Sequence, residues 1–262
     1  MKTRTEVYLN GIALSSLDPS IVVQGVNEPP PNWNIPATSR GWKEGQRPGK
    51  TEKRYRDIQI RFAVAIIKDL TARENVIQKI RNWAEGGGWM EISYRPGERI
   101  YTRIMAMPAI NGIEKWAETY QMTMRAWEMP EWEYRDADRL TLTGNSTSGT
   151  LKMKGHGGKL RAEITNGSGS TCNTVTITAG GDSIAFSSLG LANGEKLIIE
   201  YNEKDRQILE IEASGGTRRS VLNKRTAASS DDIRLSGGAN TVTVAAGQSL
   251  GWNLYAYGRI SG

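Results

Sequence analysis

The fold is decided by Ile58-Gln-Ile-Arg-Phe-Ala-Val-Ala-Ile-Ile67 and by the helix-like run from Thr71 to Glu85 that follows it. Apolar residues alternate with polar or small ones from 58 to 67, which indicates a strand with one buried face. In the next run the apolar residues recur at helical spacing, at Val76, Ile77, Ile80, Trp83 and Ala84. Such a stripe packs a helix on a sheet, and we expect Trp83 to lie in the core.

Both ends of this helix carry sequence signals. At its start, Thr71 and Glu74 match a capping box, in which two side chains accept hydrogen bonds from free N–H groups of the first turn. At its end, Gly86-Gly-Gly88 allows the left-handed backbone conformation that closes many helices. The helix is therefore predicted over residues 71–85.

Strands are predicted on both sides of the helix. They are, in chain order, Val7–Ile12, Ser20–Gln24, Trp89–Tyr94, Arg99–Met107 and Glu118–Glu128. The first turns at Asn10-Gly11, a dipeptide that tolerates the positive φ of a tight hairpin, and Pro96-Gly97 fits a type II turn between the third and fourth. Residues 1–136 are therefore predicted to form a barrel-like or sandwich-like β domain with one helix.

A proline-rich stretch over residues 27–50 separates the early strands from residue 58. Pro29-Pro-Pro31 and Pro36 exclude a helix or a central strand, because proline lacks a backbone N–H and fixes φ. We expect a long irregular arm or loop, and loops of this length in compact domains usually have a function or are ordered by a partner. Trp33 and Trp42 then indicate a surface that becomes buried, against the same subunit or against a neighbour.

Positive charge is concentrated between Arg40 and Arg61, where eight cationic residues stand against three acidic ones. Such a stretch can contact phosphates, but it lacks the aromatic platform of a single-strand binder and any helix-turn-helix or finger pattern. A solvated hairpin or a subunit interface is therefore favoured over a nucleic-acid site. The predicted partner-interface residues are Trp33, Trp42, Arg47, Lys50, Lys53 and Arg54.

From Leu140 onward the chain is rich in Gly, Ser and Thr, and turn signals recur about every 8–12 residues, as in a β-sandwich. The predicted strands are Leu160–Ile164, Thr174–Thr178, Lys196–Tyr201, Gln207–Glu212, Asn240–Val244 and Trp252–Ile260. Pro130 and the acidic and aromatic residues around Trp132 mark a boundary before them. The second domain is therefore predicted to be a small antiparallel β-sandwich over residues 137–262.

Composition places the chain among globular proteins, with 262 residues of which 38% are hydrophobic and 24% charged. No apolar run approaches the roughly 20 residues that cross a bilayer. The basic residues at the start are not followed by the apolar core of a signal peptide. We therefore expect a protein made and kept in a cytoplasm, at least until assembly.

The inventory of reactive side chains argues against an enzyme. Cys172 is the only cysteine and His156 the only histidine, which rules out an internal disulfide and nearly excludes a zinc site. A nucleophilic triad would rest wholly on His156, which lies in a turn-like stretch. A glycosidase needs two carboxylates across a cleft, but the candidates Glu128, Glu131 and Glu133 lie in what reads as a charged linker. No catalytic residue, cofactor or metal is predicted.

The order of these elements resembles the distal tail proteins of long, flexible-tailed bacteriophages. In the first domain the matching pieces are Tyr8–Gly11, the loop Gly45–Lys53, the strand Ile58–Ile67 and the helix through Trp83. In the second they are Asn193–Ile199, Gln207–Ile211 and Gly237–Val244. The resemblance covers nearly the whole chain and rests on the order of elements rather than on one specific motif.

The resemblance implies a structural role without catalysis. It implies that residues 1–136 build a hexameric ring at the tip of the tail tube, and that a galectin-like sandwich over residues 137–262 projects outward to hold tail-tip or receptor-binding proteins. Such a ring surrounds the channel through which DNA passes, which offers a place for the basic segment 40–61. It further implies a protein of the virion that is synthesised in the host cytoplasm and is not inserted in a membrane.

A carbohydrate-binding adhesion module of two β domains is the alternative. Sugar-binding members of the galectin fold use a His-x-Asn-x-Arg strand and a downstream Trp, whereas two glycines follow His156 here. Trp252, Tyr255 and Tyr257 are the aromatic residues that could stack on a sugar face. A closed ring of copies would favour the tail protein, whereas the adhesion module permits a monomer.

Overall fold

The computed structural model of this chain describes residues 5–34, 37–39, 46–48, 52–65, 69–113, 116–127, 130–202 and 206–260. Within these ranges the structure is mainly β, with one α-helix, two short 3₁₀ helices and two large antiparallel sheets. The predicted fold class is thus confirmed. No helix within them combines the length and the apolar character that crossing a bilayer requires.

The chain divides into two compact units, residues 1–132 and residues 133–261. The sequence predicts the division a few residues later, between 136 and 137. Strands of the first unit are β1 (Val7–Leu9), β2 (Ile12–Ala13), β3 (Ile21–Asn27), β4 (Asn32–Asn34), β5 (Ala37–Ser39), β6 (Gln46–Pro48), β7 (Glu52–Ala65), β8 (Gly88–Ile92), β9 (Glu98–Ile113) and β10 (Ala117–Ala126). Helix α1 (Leu70–Glu85) stands between β7 and β8, and β11 (Trp132–Tyr134) lies at the division.

The sheet of the first unit has the order β2-β1-β8-β9-β10-β7-β3, and every ladder along it is antiparallel. Strand β7 confirms the predicted alternation, because Ile58, Ile60, Phe62 and Val64 are all buried. On the neighbouring strand β10, the predicted face of Tyr120, Met122, Met124 and Ala126 is buried as well. A period of two thus places one face of each strand in the core of this unit.

The predicted turns at Asn10-Gly11 and Pro96-Gly97 are confirmed. Asn10 and Gly11 have φ values of 51° and 80°, the positive pair that a two-residue hairpin loop requires. The Asn10 side chain also donates to the carbonyl of Gly87 at 3.0 Å and accepts from the N–H of Trp89 at 3.0 Å. These two hydrogen bonds link the β1–β2 hairpin to the segment that follows the helix.

Helix α1 begins one residue before the prediction, and its cap differs. Asp69 is the N-cap, and its Oδ1 accepts from the N–H groups of Thr71 and Ala72 at 2.9 and 3.4 Å. The predicted capping box is therefore wrong, because Thr71 already lies inside the helix. At the other end Gly87 has φ +60° and its N–H donates to the carbonyl of Ala84, which confirms that the glycines end the helix.

The stripe of α1 is buried at Val76, Ile77, Ile80 and Ala84, but Trp83 is only half-buried. Its Nε1 donates to the carbonyl of Ile12 at 3.0 Å, so the indole covers the second strand instead of filling the core. The expectation of a core Trp83 is wrong, because this residue falls at the edge of the apolar stripe. Period alone does not separate the centre of a stripe from its border.

We expect Trp83→Ala to lower the free energy of unfolding by about 1–2 kcal/mol, short of the 3–5 kcal/mol of a fully buried aromatic. The loss combines one hydrogen bond with part of the packing of one side chain. Urea titration of the full chain measures it, with Trp83→Phe as the control that keeps most of the packing. A loss above about 3 kcal/mol would show that the indole is core after all.

The second unit contains two very long strands, β12 (Asp138–Lys159) and β19 (Arg234–Ala256). Its other strands are β13 (Arg161–Asn166), β14 (Val175–Ala179), β15 (Asp182–Phe186), β16 (Lys196–Tyr201), β17 (Gln207–Glu212), β18 (Arg218–Ser220) and β20 (Arg259–Ile260). Strand β12 pairs with β19 from Asp138 opposite Ala256 to Lys159 opposite Arg234. The sequence predicts two separate strands, Asn240–Val244 and Trp252–Ile260, where β19 is continuous from Arg234 to Ala256, and it does not predict β12.

The long ladder bends where the register shifts. One shift lies between Gly144 and Ser146, where Gly144 has φ +138°, a value that favours glycine. On one side of it β19 pairs with β14, and on the other side with β13. The two arms of one bent ladder thus enclose a single core, which includes Leu151, Ile177, Trp252 and Leu254.

Candidate interaction surfaces

The predicted arm contains paired strands in its described parts. Strand β4 pairs with the start of β7, with Trp33 opposite Lys53 and Asn34 opposite Glu52. Farther out, β5 pairs with β6, with Thr38 opposite Arg47. The expectation of an irregular arm is therefore wrong for these residues. Short edge strands tolerate the prolines that exclude a central strand, and Pro48 lies within β6.

The structure places four of the six predicted interface residues on these strands. Trp33 lies on β4, Arg47 on β6, and Lys53 and Arg54 on β7. Trp42 and Lys50 lie outside the described residues. Ladder pairing brings the backbones of Trp33 and Lys53 together, and β7 continues from them without a break into the core strand of the sheet. The assignment of these residues to an interface stays a prediction.

A cluster of half-buried charges lies at the root of the arm, where β3 ends and β7 enters the sheet. Nε of Arg95 lies 3.0 Å from Oε2 of Glu28, and Nη1 of Arg95 donates to Glu98 at 2.8 Å. Tyr94 donates its hydroxyl hydrogen to Glu28, and the Arg95 guanidinium stacks 4.9 Å from the ring centre of Trp132. Glu28 is the residue that directly follows β3, so this cluster fixes the point where the arm departs.

Arg56 on β7 belongs to the same cluster and is its most buried member, with only 2% of its surface exposed. Burial lowers the pKa of Arg56, while the charges of Glu28 and Glu131 oppose that effect. Burial also disfavours the charged form of Arg95, but hydrogen bonds to Glu98 and Glu28 outweigh it and raise the pKa of Arg95. Both guanidinium groups stay charged, so the carboxylates of the cluster compensate for buried positive charge.

The opposite face of β7 carries a second anchor. Arg125 on β10 donates from Nη2 to Oδ2 of Asp57 at 2.7 Å, and its guanidinium lies 4.0 Å from the ring centre of Tyr55. The ring centre of Trp127 lies 4.8 Å from the same guanidinium and 6.0 Å from the ring centre of Tyr55. Hydrogen bonding to Asp57 raises the pKa of Arg125. The root of the arm is thus held on both faces by charged and aromatic groups.

A third feature is the apolar hairpin tip, which we define as residues Met105–Ile113 of β9 and Trp116 before β10. Five large side chains are exposed there: Met105, Met107, Ile110, Ile113 and Trp116. None of these five residues is among the interface residues predicted from the sequence. The signal of this surface in the sequence is the run Ile104–Ile113, which carries no charged residue and extends beyond the predicted strand Arg99–Met107.

The candidate sugar-binding residues do not form an aromatic platform. Trp252 is 1% exposed and donates from Nε1 to the carbonyl of Gly144 at 3.0 Å, inside the core. Tyr255 is 6% exposed, with its ring edge-on to Tyr257 and Arg139 stacked above it. A sugar ring needs an open aromatic face, so these residues do not support the adhesion module.

The candidate carboxylates and His156 lie in different environments. Glu133 is buried, Glu131 is half-buried, and Glu128 lies outside the described residues. His156 is exposed on β12, where the ladder to β19 is interrupted between Met153 and Gly157. Within the described ranges no group of three or more His, Cys, Asp and Glu residues is placed to hold a metal ion.

Comparisons with known proteins detect similarity in structure but not in sequence. No family model and no curated protein matches the chain. It is similar to the Dit protein of phage SPP1, described as a paradigm of the hub adsorption apparatus in phages that infect Gram-positive bacteria. That match has a TM-score of 0.69 and 13% identity, and it covers 97% of this chain and 98% of the other.

Two structures of the phage P2 baseplate in its activated conformation are also similar. The structure with calcium gives a TM-score of 0.60 at 7% identity, and the structure with strontium gives 0.58 at 8%. The matched regions cover 98% of both chains in the first case and 97% of both in the second. The predicted resemblance to distal tail proteins is thus confirmed for the fold, over both units.

Proposed function

We propose that this protein is a structural component of a phage tail tip, where copies of it form a ring that joins the tail tube to tail-tip or receptor-binding proteins. The observation that carries the proposal is the match to the SPP1 Dit protein over nearly the full length of both chains. A likeness restricted to one β-sandwich would fit many functions, since common folds host unrelated activities. Here the order and content of two different units agree.

The distribution of apolar surface supports the same role. Eleven large apolar or aromatic side chains of the described residues are exposed, and ten of them belong to the first unit. Leu222 is the one in the second unit. Exposed apolar patches of this extent mark surfaces that become covered by protein. The first unit is therefore the part that we assign to ring formation, and the second is the part that remains at the periphery.

In this proposal the partners are six copies of the chain itself, the tail tube protein on one side, and hub or receptor-binding proteins on the other. DNA passes through the ring during infection, and the basic segment 40–61 is the part of the chain suited to line its path. The protein acts in the virion after synthesis in the host cytoplasm. Its role is mechanical and non-enzymatic, and it calls for no cofactor.

The mass of the purified protein in solution tests the proposal. We expect light scattering after size exclusion to give a single species near six times 28.9 kDa. Rings are closed by one repeated heterologous contact, so intermediate masses should be rare at concentrations where the ring forms. A monomer at every concentration, also after addition of tail tubes, would contradict the ring.

Shortening the arm should abolish the ring. Because Asn34 pairs with Glu52, replacing residues 35–51 by Asn-Gly closes the β4–β7 ladder with a two-residue turn and keeps Glu28 and Arg56 in place. We expect a monomer with unchanged unfolding of both units. The matched control replaces residues 203–205, between Asn202 and Arg206 of the second unit, by Gly-Gly. Rings of normal mass from the shortened arm would remove the arm from ring formation.

A further inference from the structure

The apolar hairpin tip exposes as much apolar surface as the largest patches of typical monomers. The exposed fractions are 50% and 42% for Met105 and Met107, 52% and 73% for Ile110 and Ile113, and 76% for Trp116. Together these side chains expose roughly 600 Å², the upper end of the largest patch found on a typical monomer. The tip is therefore a surface that another molecule covers.

The backbone of the tip indicates how it is covered. Strand β8 pairs with β9 only over residues 100–102, and the rest of β9 runs along β10 up to Ile113. The register of this ladder shifts three times, and Pro108 interrupts the donors of the outer edge. Addition of a further strand is therefore disfavoured. Packing of side chains, with two adaptable methionines among them, is the contact that this surface can make.

The area of the tip matches one protein interface. A standard interface buries about 800 Å² on each partner, and about 56–65% of it is apolar, which amounts to roughly 500 Å². The tip supplies that amount by itself. No charged residue occurs from Ile104 to Ile113, so charge does not select a partner of opposite sign.

A second copy of the chain offers the matching surface. A ring contact is heterologous, so each copy must present two different patches that fit each other. Outside the tip, the first unit exposes Ile12, Val22, Leu70, Tyr94 and Trp127. The second unit exposes only Leu222 among its described large apolar residues. The surface that can receive the tip thus lies on the first unit.

We propose that the apolar hairpin tip packs against the first unit of a neighbouring copy and forms one half of the contact that closes the ring. The inference rests on the proposed ring and names the surface that holds it together. Side chains exposed in a single subunit become the desolvated centre of the interface, with Trp116 and Ile113 at its core.

Chemical labelling of the full chain tests whether the tip is covered. Cys172 is fully buried, so Ile113→Cys provides a single accessible thiol. We expect maleimide to react at least about tenfold more slowly with this thiol in the assembled species than after dilution to the monomer, because a thiol in a packed interface is screened from the reagent. Arg218→Cys, on β18 of the second unit, is the matched control and should react equally fast in both states.

Substitution tests whether the tip is needed. Ile110→Glu with Trp116→Lys keeps the net charge and changes only exposed side chains, so the thermal unfolding should stay unchanged. We expect the mass to fall from the ring to 28.9 kDa. Leu222→Lys, which alters an equally exposed side chain of the second unit, should leave the ring intact.

The outcomes separate this inference from the proposed function. A ring in which the Ile113→Cys thiol reacts as fast as in the monomer would overturn the inference and leave the ring standing. The same holds for a ring of unchanged mass in the double variant. A wild-type chain that stays monomeric with and without tail tubes, together with an Ile113→Cys thiol that reacts equally fast under both conditions, would overturn both. Protection of the thiol together with loss of the ring in the double variant supports the inference.

Discussion

Replacing Trp252 by alanine should lower the free energy of unfolding of the second unit by about 3–5 kcal/mol, the range for a large buried aromatic. Only 1% of its surface is exposed, and it lies on β19 within the core that both arms of the bent ladder enclose. The substitution also leaves the carbonyl of Gly144 without the indole N–H that bonds it at 3.0 Å. Both losses fall at the bend of the ladder.

The measurement is urea titration of the full chain, with hydrogen exchange of the second unit to assign the transition. Trp252→Phe is the matched control, since it keeps most of the buried volume and loses the hydrogen bond, at an expected cost of about 1–2 kcal/mol. If the alanine variant lost less than about 1 kcal/mol, the site would collapse easily and Trp252 would not organise the core.

Glu28→Gln should lower the free energy of unfolding of the first unit by about 3 kcal/mol, because it leaves buried positive charge uncompensated. The side chain of Glu28 is 9% exposed and pairs with Arg95 at 3.0 Å, and its charge also offsets that of the buried Arg56. We expect faster hydrogen exchange at the end of β3 and the start of β7 as well, since the cluster fixes the root of the arm.

Two comparisons identify the cause of this loss. Arg218→Ala removes an ion pair with Glu212 in which the arginine side chain is 45% exposed, and it should cost less than about 1 kcal/mol. The double variant Glu28→Gln with Arg95→Met should recover part of the stability, because it removes one of the two positive charges that Glu28→Gln leaves uncompensated. A loss for Glu28→Gln no larger than that of the exposed pair would show that water reaches the cluster.

Elements that repeat a strong period could be predicted from the sequence. The alternation from Ile58 to Val64 and the stripe of Val76, Ile77 and Ile80 each specify a buried face, and the structure buries those residues. The turn at Asn10-Gly11 was equally clear, because few residues accept a positive φ. Local chemistry dictates these features, so a single sequence contains enough information to place them.

Features that depend on distant partners could not be predicted. Asp69 caps α1 because its carboxylate accepts hydrogen bonds from two backbone N–H groups. The sequence pattern that begins at Thr71 matches a capping box as well, so it predicts a different N-cap. Strand β12 alternates between half-exposed and exposed residues up to Thr150 and becomes a strand through pairing with β19. Leu140 and Leu142 alternate with Thr at one end, and Leu151 and Met153 alternate with Lys at the other, but the seven residues of Gly, Asn, Ser and Thr between them carry no apolar period that joins the two ends into one strand.

The interface was harder to predict than the fold. Composition drew attention to the Trp and basic residues of the arm, and the structure places Trp33 and Lys53 opposite each other without testing their role. The apolar hairpin tip could not be predicted, because Met and Ile on a strand are usually core residues. Exposure of Ile113 and Trp116 distinguishes a surface from a core, and only the three-dimensional arrangement reveals it.

The long ladder of the second unit also sets an order of events during synthesis. Asp138 must meet Ala256 before the ladder is complete, whereas the seven strands of the order β2-β1-β8-β9-β10-β7-β3 all lie within residues 1–132. Pairing between such distant segments waits for loop closure and is slow. The first unit can therefore fold on the ribosome while the second unit is still an open chain. In the proposed ring, association of the first units can thus begin before either end of the bent ladder has closed.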